Sequence, residues 1–577
     1  MSILGVYDGH NAGAALIAHD GTVVAAVEEE RFSRIKNHDA RPDHDPPPWE
    51  SVAFCVAASM EPVTALAFGI EQPEELSSIS LANFDAQVAA GQQQRLKRAA
   101  DLGLTTGEFR AMPELTQHRR VATLREVVAA AGLDPSLPAV FVDHHAAHAG
   151  GAYLLSGAER AVVITLDGRG DDLSGSVSHG EHGRLTRTLA IPTEDSLGHL
   201  YSAFTVACGL RPQRDEGKLQ AMAASGVSDQ RIRTWLEARF GLDPTSGAIR
   251  GHLNDGLVVG PYPDRLPDLH NELIRELIAG ASAVDAAATV QSFLEQLVCE
   301  FASWHLKRTG LGSLVVAGGI FANVSLNRRL AGVVGIDELH VHPAMTDAGI
   351  ALGAAAVTAS LRGITPAPLQ SLALGPSYSD AEAAAAFGQE GYRVTRPSGS
   401  AELILAYRLA RGEVVARFIG GAEYGPRALG HRSILAPASD AGMPLKLNRM
   451  LRRSNVMPFA PMARRRDAAA LFADVSALAA PLRYMTAAIL CTEETRRRYP
   501  AVVHADGTAR PQLLDDGEPA VVLLDELERL TGDRMVINTS FNLHDEPMVC
   551  RPADAARSAR AAGIRFVQVG ELIAEQG

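Results

Sequence analysis

One repeated unit constrains this chain more than any other feature. Ile3-Leu4-Gly5-Val6-Tyr7 is an apolar run that stops at Asp8-Gly9-His10-Asn11, and Gly13-Ala14-Ala15-Leu16-Ile17 is a second apolar run behind that turn. The plan returns about 160 residues later, where Ala161-Val162-Val163-Ile164-Thr165-Leu166 runs into Asp167-Gly168-Arg169-Gly170 and Gly175-Ser176-Val177-Ser178-His179 follows. Short apolar runs bounded by Asp, Gly and Asn read as buried strands joined by tight turns. Asp20-Gly21 marks a further turn before Thr22-Val23-Val24-Ala25-Ala26-Val27. A unit of this kind occurring twice implies internal duplication, and the expectation is an α/β domain built from two related halves. A third signal agrees. Leu314-Val315-Val316-Ala317 runs into Gly318-Gly319, and residues 323–330 read as helical. Glycine lets the backbone approach a phosphate and a helix N-terminus favours anions, although the same turn also serves plain packing.

A duplicated half of strand–Asp-Gly–strand units resembles the superfamily of actin, sugar kinases and the Hsp70 ATPase, in which two such turns face a nucleotide. The chain has 577 residues, twice what a single core supports, so a second domain is expected. The stretch 361–375 carries the proline and glycine punctuation of a linker and places the boundary at 365/366, giving domains 1–365 and 366–577. The second opens with a helix at 380–389. Residues 79–125 read as helical and polar, an inserted or acceptor-side element without chemistry. The apolar runs are too short to span a bilayer, and the chain opens directly on a strand with no basic leader, so a cytoplasmic protein away from membranes is expected. A net charge of −13 argues against a nucleic-acid partner. Five scattered cysteines without a CxxC pair read as reduced thiols.

Three clusters carry chemistry. In Asp143-His144-His145-Ala146-Ala147-His148, His144 and His148 stand four apart and share a helix face, a spacing that binds a metal. Two nitrogens need a carboxylate from elsewhere, and Asp347 in Thr346-Asp347-Ala348-Gly349 is the candidate. In the second domain, Gly425-Pro426-Arg427-Ala428-Leu429-Gly430-His431-Arg432 sets two arginines in a glycine-rich turn suited to phosphate. Arg464-Arg465-Arg466 reads as a solvated basic face. Asn538-Thr539-Ser540-Phe541-Asn542 behind a strand suits either a neutral polar pocket or a capped turn.

In order, these segments resemble the O-carbamoyltransferase family, which includes the nodulation-factor, cephamycin and aminoglycoside carbamoyltransferases. The matching pieces include Asp8-Gly9-His10, Glu28-Glu29-Glu30-Arg31-Phe32-Ser33-Arg34 with Lys36, His144-His145-Ala146-Ala147-His148, Asp167-Gly168, Ser196-Leu197-Gly198, Gly318-Gly319 with Asn323, Asp347, the 425–430 turn with Arg432, Pro458-Phe459-Ala460-Pro461, Arg510-Pro511-Gln512 and Asn538-Thr539-Ser540. The resemblance implies an N-terminal domain like the metal-dependent threonylcarbamoyl transferase of tRNA modification. It implies an α+β C-terminal domain like the synthase of threonylcarbamoyl-adenylate. The latter would make carbamoyl-adenylate from carbamoyl phosphate and Mg-ATP, binding them through Arg427, Arg432, Arg453, Arg510, Asn538 and Ser540. The former would hold the adenylate through Asp167, Gly198, Gly319 and Asn323, with a divalent metal on His144, His148 and Asp347. Iron(II) is favoured by similarity, with zinc or manganese as alternatives. His10, with Asp8 beside it, would take the acceptor proton, and Lys36 would counter charge near the carbamoyl group. The acceptor would be a small molecule with a free hydroxyl, such as a sugar of a macrolide or aminoglycoside, and the enzyme a monomer or homodimer.

The family shows a Lys-x-Arg-Glu pattern and another Arg before Pro-Phe-Ala-Pro. Residues 451–457 keep only Arg453 of these, with Arg452 a substitute for the lysine. Two rivals remain: a kinase or ATPase of the same superfamily, which leaves the second domain and the histidine pair unexplained, and a non-catalytic nucleotide-sensing scaffold.

Overall fold

The computed structural model describes all residues except 1, 42–43, 71–119, 121, 172, 252–272, 454–458 and 474. The chain forms two compact units, Met1–Val24 with Asp39–Leu369, and Ala25–His38 with Gln370–Gly577. The main division falls after Leu369, and fourteen residues of the N-terminal sequence group with the second unit, where a single cut at 365/366 was expected.

The N-terminal part of the chain forms two five-stranded sheets of the same topology, all in the first unit except residues 25–28. One comprises β1 (Ser2–Tyr7), β2 (Gly13–Ile17), β3 (Val23–Glu28), β4 (Val63–Phe68) and β5 (Ala139–Phe141), in the order β3-β2-β1-β4-β5. β1 and β2 form an antiparallel hairpin with Val6 opposite Ala14, and β4 and β5 add in parallel. Helix α1 (His144–Leu154) follows, and then the second sheet: β6 (Arg160–Gly170), β7 (Leu173–Glu181), β8 (Arg184–Pro192), β9 (Ser313–Ala317) and β10 (Glu338–Val341). Its order, β8-β7-β6-β9-β10, repeats the first, with an antiparallel meander joined to two parallel strands. This is the duplicated architecture of the actin, sugar-kinase and Hsp70 superfamily.

Between β8 and β9 lie α2 (Leu197–Ala207) and α3 (Ala283–Thr309), and α4 (Val324–Ala331) leads from β9 to β10. The unit closes on α5 (Ile350–Leu361). Nearly every residue of α5 is buried, as a helix apolar but for Thr358 and Ser360 requires, and it packs against β1, β2, β4 and α1. None of the described helices is long and apolar enough to cross a membrane.

The helix at Asp380–Gln389 forms in the second unit, opened by a capping box in which Ser379 and Glu382 exchange hydrogen bonds. The sheet has eight strands: β11 (Tyr392–Thr395), β12 (Val415–Phe418), β13 (Arg432–Pro437), β14 (Ala460–Arg464), β15 (Gln512–Leu514), β16 (Met535–Ser540), β17 (Phe566–Val569) and β18 (Leu572–Gln576). They run in the order β11-β18-β17-β12-β13-β16-β14-β15. Leu405 and Leu409 of α6 (Ala401–Ala410) and Leu524 of α7 (Pro519–Thr531) form the core with Val415, Leu435 and Val536. Arg464 corrects the expectation of a solvated basic face. It is buried at the end of β14, with Asp467, Asp525 and Glu528 each 2.5 Å from one of its nitrogens.

Candidate functional sites

The metal-type site of the first unit begins with the cap of α1. The Asp143 carboxylate accepts from the Ala146 N–H at 3.0 Å and is braced by Arg187 at 2.6 Å. The His144 N–H donates to Asp171 at 2.8 Å, which ties the start of the helix to the end of β6. With the helix started there, His144 and His148 fall on one face, their Nε2 atoms 3.1 Å apart. Asp167 Oδ2 lies 3.1 Å from His148 Nε2 and 3.7 Å from that of His144, and Asp347 Oδ1 lies 3.5 Å from His144 Nε2 and 3.7 Å from His148 Nε2. Each of the four residues offers one donor atom within 4.8 Å of the others. Donors about 3.4 Å apart are what a tetrahedral cation with ligand bonds near 2.1 Å requires.

The electrostatics agree. Burial works against a charged His144, yet Asp347, Asp167 and Asp171 outweigh it and lift the ring to about 9. Burial likewise opposes the Asp167 carboxylate, but the two histidines hold it well below the usual range. The cluster stabilises positive charge at its centre. Two imidazoles and two carboxylates are a donor set for a divalent first-row metal.

Sequence reasoning named His144, His148 and Asp347 but assigned Asp167 to the nucleotide. The structure puts Asp167 among the metal-type donors, where it also accepts from the Gly319 N–H at 3.1 Å. Gly198 is a close-packing residue: a Cβ there would stand 2.6 Å from the Asp167 carbonyl oxygen. Asn323 caps α4 through the Leu326 N–H, and its amide pairs reciprocally with Gln291 at 2.8 and 3.0 Å. Tyr7, which sequence reasoning passed over, donates to Asp347 Oδ2 at 3.0 Å.

Asp8 is buried and held by both Nε and Nη2 of Arg120, at 2.5 to 3.1 Å. Arg120 belongs to the stretch 79–125 that reads as helical and polar; of that stretch, 79–119 and 121 lie outside the described residues. His10 is partly exposed and forms an isolated backbone bridge with Asp39. Lys36 belongs to the segment Ala25–His38 and so to the second unit.

The second unit carries a different kind of site. Arg427 sits in the turn that joins β12 to β13, where Gly425 and Gly430 take left-handed φ values of 93° and 101° that a side chain disfavours. Burial pushes the Arg427 guanidinium well below the ordinary arginine value, and neighbouring Arg510 pushes it the same way. Burial brings Arg510 down to about 10 and also lowers Arg453. Among the described residues, neither Arg427 nor Arg510 has an ion-pair partner. Two part-buried guanidinium groups without a carboxylate among the described residues are an arrangement that an oxyanion would relieve of both burial and repulsion.

The remaining expected ligands divide. Asn538 donates to the Ala428 carbonyl at 3.1 Å and to Gln512 at 2.8 Å, supporting the turn from below. Arg453 lies 3.4 Å from Thr539 Oγ1, and Ser540 ends β16 partly exposed. Arg432 is fully buried, with its Nη atoms donating to the carbonyls of Ile419, Gly420 and Pro376 and its guanidinium 3.9 Å above the Phe418 ring, so it braces the turn. Residues 454–457 of the divergent stretch lie outside the described residues.

Comparison with known proteins matches two family models, Carbamoyltransferase N-terminus over residues 2–356 and Carbamoyltransferase C-terminus over 406–576. The nodulation protein NolNO of Sinorhizobium fredii is 28% identical over 571 residues, covering 97% of this chain and 78% of its own. An uncharacterized protein of Methanocaldococcus jannaschii, MJ1058, is 31% identical over 444 residues, 72% of this chain and 70% of its own. Among solved structures, component A of the (R)-2-hydroxyglutaryl-CoA dehydratase of Acidaminococcus fermentans aligns over 62% of this chain and 97% of its own, at 13% identity and a TM-score of 0.33.

Proposed function

The chain belongs to the carbamoyltransferase family, and from that premise we propose that it is an ATP-dependent O-carbamoyltransferase whose two half-reactions are divided between its two units. The observation that carries this reading is the pair of chemically different groups, a metal-type donor set in one unit and, in the other, two arginines without an ion-pair partner among the described residues.

In the first half-reaction, water cleaves carbamoyl phosphate to carbamate and phosphate. The carbamate oxygen then attacks the α-phosphorus of Mg-ATP, pyrophosphate leaves, and carbamoyl-adenylate forms. Charge accumulates on phosphate oxygens, and Arg427 and Arg510, held in place before the reaction, would neutralise it, with Arg453 and Ser540 as further ligands. In the second, an acceptor hydroxyl attacks the carbamoyl carbon and AMP leaves. Carbamate is a poor acyl donor until its oxygen carries such a leaving group. His144, His148, Asp167 and Asp347 would hold a divalent metal, iron(II) first with zinc or manganese as alternatives. When bound, it would supply a positive charge for a phosphate oxygen of the leaving group. Gly319 and Asn323 would line the nucleotide. His10 would take the hydroxyl proton, with general-base help typically worth about 10²–10⁴-fold. The acceptor class we favour is a sugar hydroxyl of a macrolide or aminoglycoside, modified by a monomer or homodimer in the cytoplasm.

The test is incubation with labelled carbamoyl phosphate and ATP, with and without a panel of hydroxyl acceptors. Expected are pyrophosphate, AMP and a labelled carbamate ester that appears only with an acceptor. ADP with phosphate moved to the acceptor would replace this reading with that of a kinase.

A further inference from the structure

The segment Glu28-Glu29-Glu30-Arg31-Phe32-Ser33-Arg34 has no role in the chemistry above, yet it is densely bonded. It belongs to the fourteen residues that leave the first unit after Val24 and return at Asp39, and within the second unit it meets the turn that carries Arg427. Glu28 and Arg31 are both almost fully buried. Glu28 Oε1 accepts from the Gly425 N–H at 2.8 Å, and Arg31 Nη2 donates to the Gly425 carbonyl at 2.7 Å. Both backbone groups of one glycine are thereby held by side chains nearly 400 residues away in sequence. Arg31 is itself fixed by Glu30 at 2.5 Å and Glu28 at 3.5 Å. Three residues on, Arg34 donates to the carbonyls of Pro547 and Met548, in the loop that follows β16.

The far end of the same turn is fixed from within the second unit. Glu423 Oε1 accepts from the backbone N–H groups of Leu429, His431 and Arg432 at 2.7 to 3.0 Å. The Leu429 carbonyl accepts from Gln512, and that of Ala428 from Asn538. Arg427 therefore stands in a turn clamped at both ends. The exit clamp comes from Glu423, Gln512 and Asn538 of the second unit's own sequence; at the entrance the Tyr424 N–H donates to the Leu372 carbonyl, and both backbone groups of Gly425 are held by the excursion. A site that binds an anion through half-buried arginines needs this, because a guanidinium misplaced by about 1 Å loses its bidentate geometry.

We propose that Glu28 and Arg31 are positioning residues for the anion site of the second unit, setting the Gly425 turn so that Arg427 meets a phosphate oxygen. The inference rests on the proposed adenylation only in naming ATP and carbamoyl phosphate as the ligands; the clamp itself is read from hydrogen bonds within one unit. A buried carboxylate is otherwise an unfavourable choice here. Burial pushes the Glu28 carboxyl up, with Arg31 working against it, and Oε2 has no hydrogen-bond partner among the described residues. A carboxamide at the same position would keep the bond to Gly425 without the charge.

The experiment uses the full chain with Glu28→Ala, Glu28→Gln and Arg31→Met, inorganic phosphate as the binding probe, and amide hydrogen exchange as the structural readout. Glu28→Ala and Arg31→Met are expected to weaken phosphate binding by about tenfold or more, and Glu28→Gln by under about threefold, since its oxygen still accepts from Gly425. Exchange should quicken over 424–430 in Glu28→Ala and stay unchanged over 535–540. Pyrophosphate formation should fall in the same order, while transfer from supplied carbamoyl-adenylate is kept. Wild-type phosphate binding in Glu28→Ala would overturn the proposal, as would faster exchange across all of Gln370–Gly577, which would make the segment a folding element only. A wild-type chain that binds phosphate with this variant dependence but forms no pyrophosphate would sink the adenylation reading and leave the clamp standing.

Discussion

At the scale of single residues, the histidine pair was legible because helical spacing is a local property: His144 and His148 share a face whatever surrounds them. Asp167 shows where local reasoning ends. Its Asp-Gly turn marked it as functional, but only the pairing of β6 beside the start of α1 reveals that its carboxylate meets two imidazoles at 3.1 and 3.7 Å. The two assignments separate in one measurement. Asp167→Asn is expected to weaken iron(II) or zinc(II) binding by about tenfold or more, read by titration calorimetry, because an amide oxygen is a poorer donor than a carboxylate. Unchanged metal affinity with lost nucleotide binding would return Asp167 to the nucleotide. Arg464 and Arg120 were illegible for a related reason. Three arginines in a row look solvated until Asp525 and Glu528, on one face of α7, are found beside the first of them. Nothing near Arg120 in the sequence points to Asp8.

At the scale of elements, the hairpin β1–β2 and the helix at Asp380–Gln389 could be read directly, since turns and caps are written in neighbouring residues. Helix packing is written in pairs of distant small residues. α1 and α5 touch through glycine: a Cβ on Gly353 would stand 1.9 Å from the Ala147 carbonyl oxygen, and one on Gly151 3.2 Å from the Gly353 Cα. A backbone oxygen in a packed helix cannot give way, so the helices must separate to admit a methyl group. Gly353→Ala is therefore expected to cost about 1–3 kcal/mol of unfolding free energy in denaturant titration. Because α1 carries both histidines, it should also lower metal affinity. A variant as stable as the wild type would show that the helices are not held at this distance. The excursion of Ala25–His38 into the second unit is the element-scale feature that escaped the sequence entirely. The segment begins inside strand β3, and its partners Gly425, Pro547 and Met548 lie hundreds of residues away.

At the scale of the molecule, the duplication was visible as two Asp-Gly turns, and the two sheets repeat one strand order. The proposed division of chemistry rests on what each unit offers. The first gathers two carboxylates and two imidazoles, a donor set for a cation, and the second holds two part-buried arginines without an ion-pair partner among the described residues. Under the proposed function, the two would serve successive steps on one activated intermediate. The most direct test gives full-length Arg510→Ala and His148→Ala two separate tasks: pyrophosphate release from ATP with carbamoyl phosphate, and transfer from supplied carbamoyl-adenylate to a panel of macrolide and aminoglycoside acceptors. Arg510→Ala should lose pyrophosphate release by about 10²–10³-fold, as when one donor is removed from a site of developing charge, and keep transfer. His148→Ala should keep pyrophosphate release and lose transfer. Loss of both activities in either variant would contradict the division of the two half-reactions between the two units.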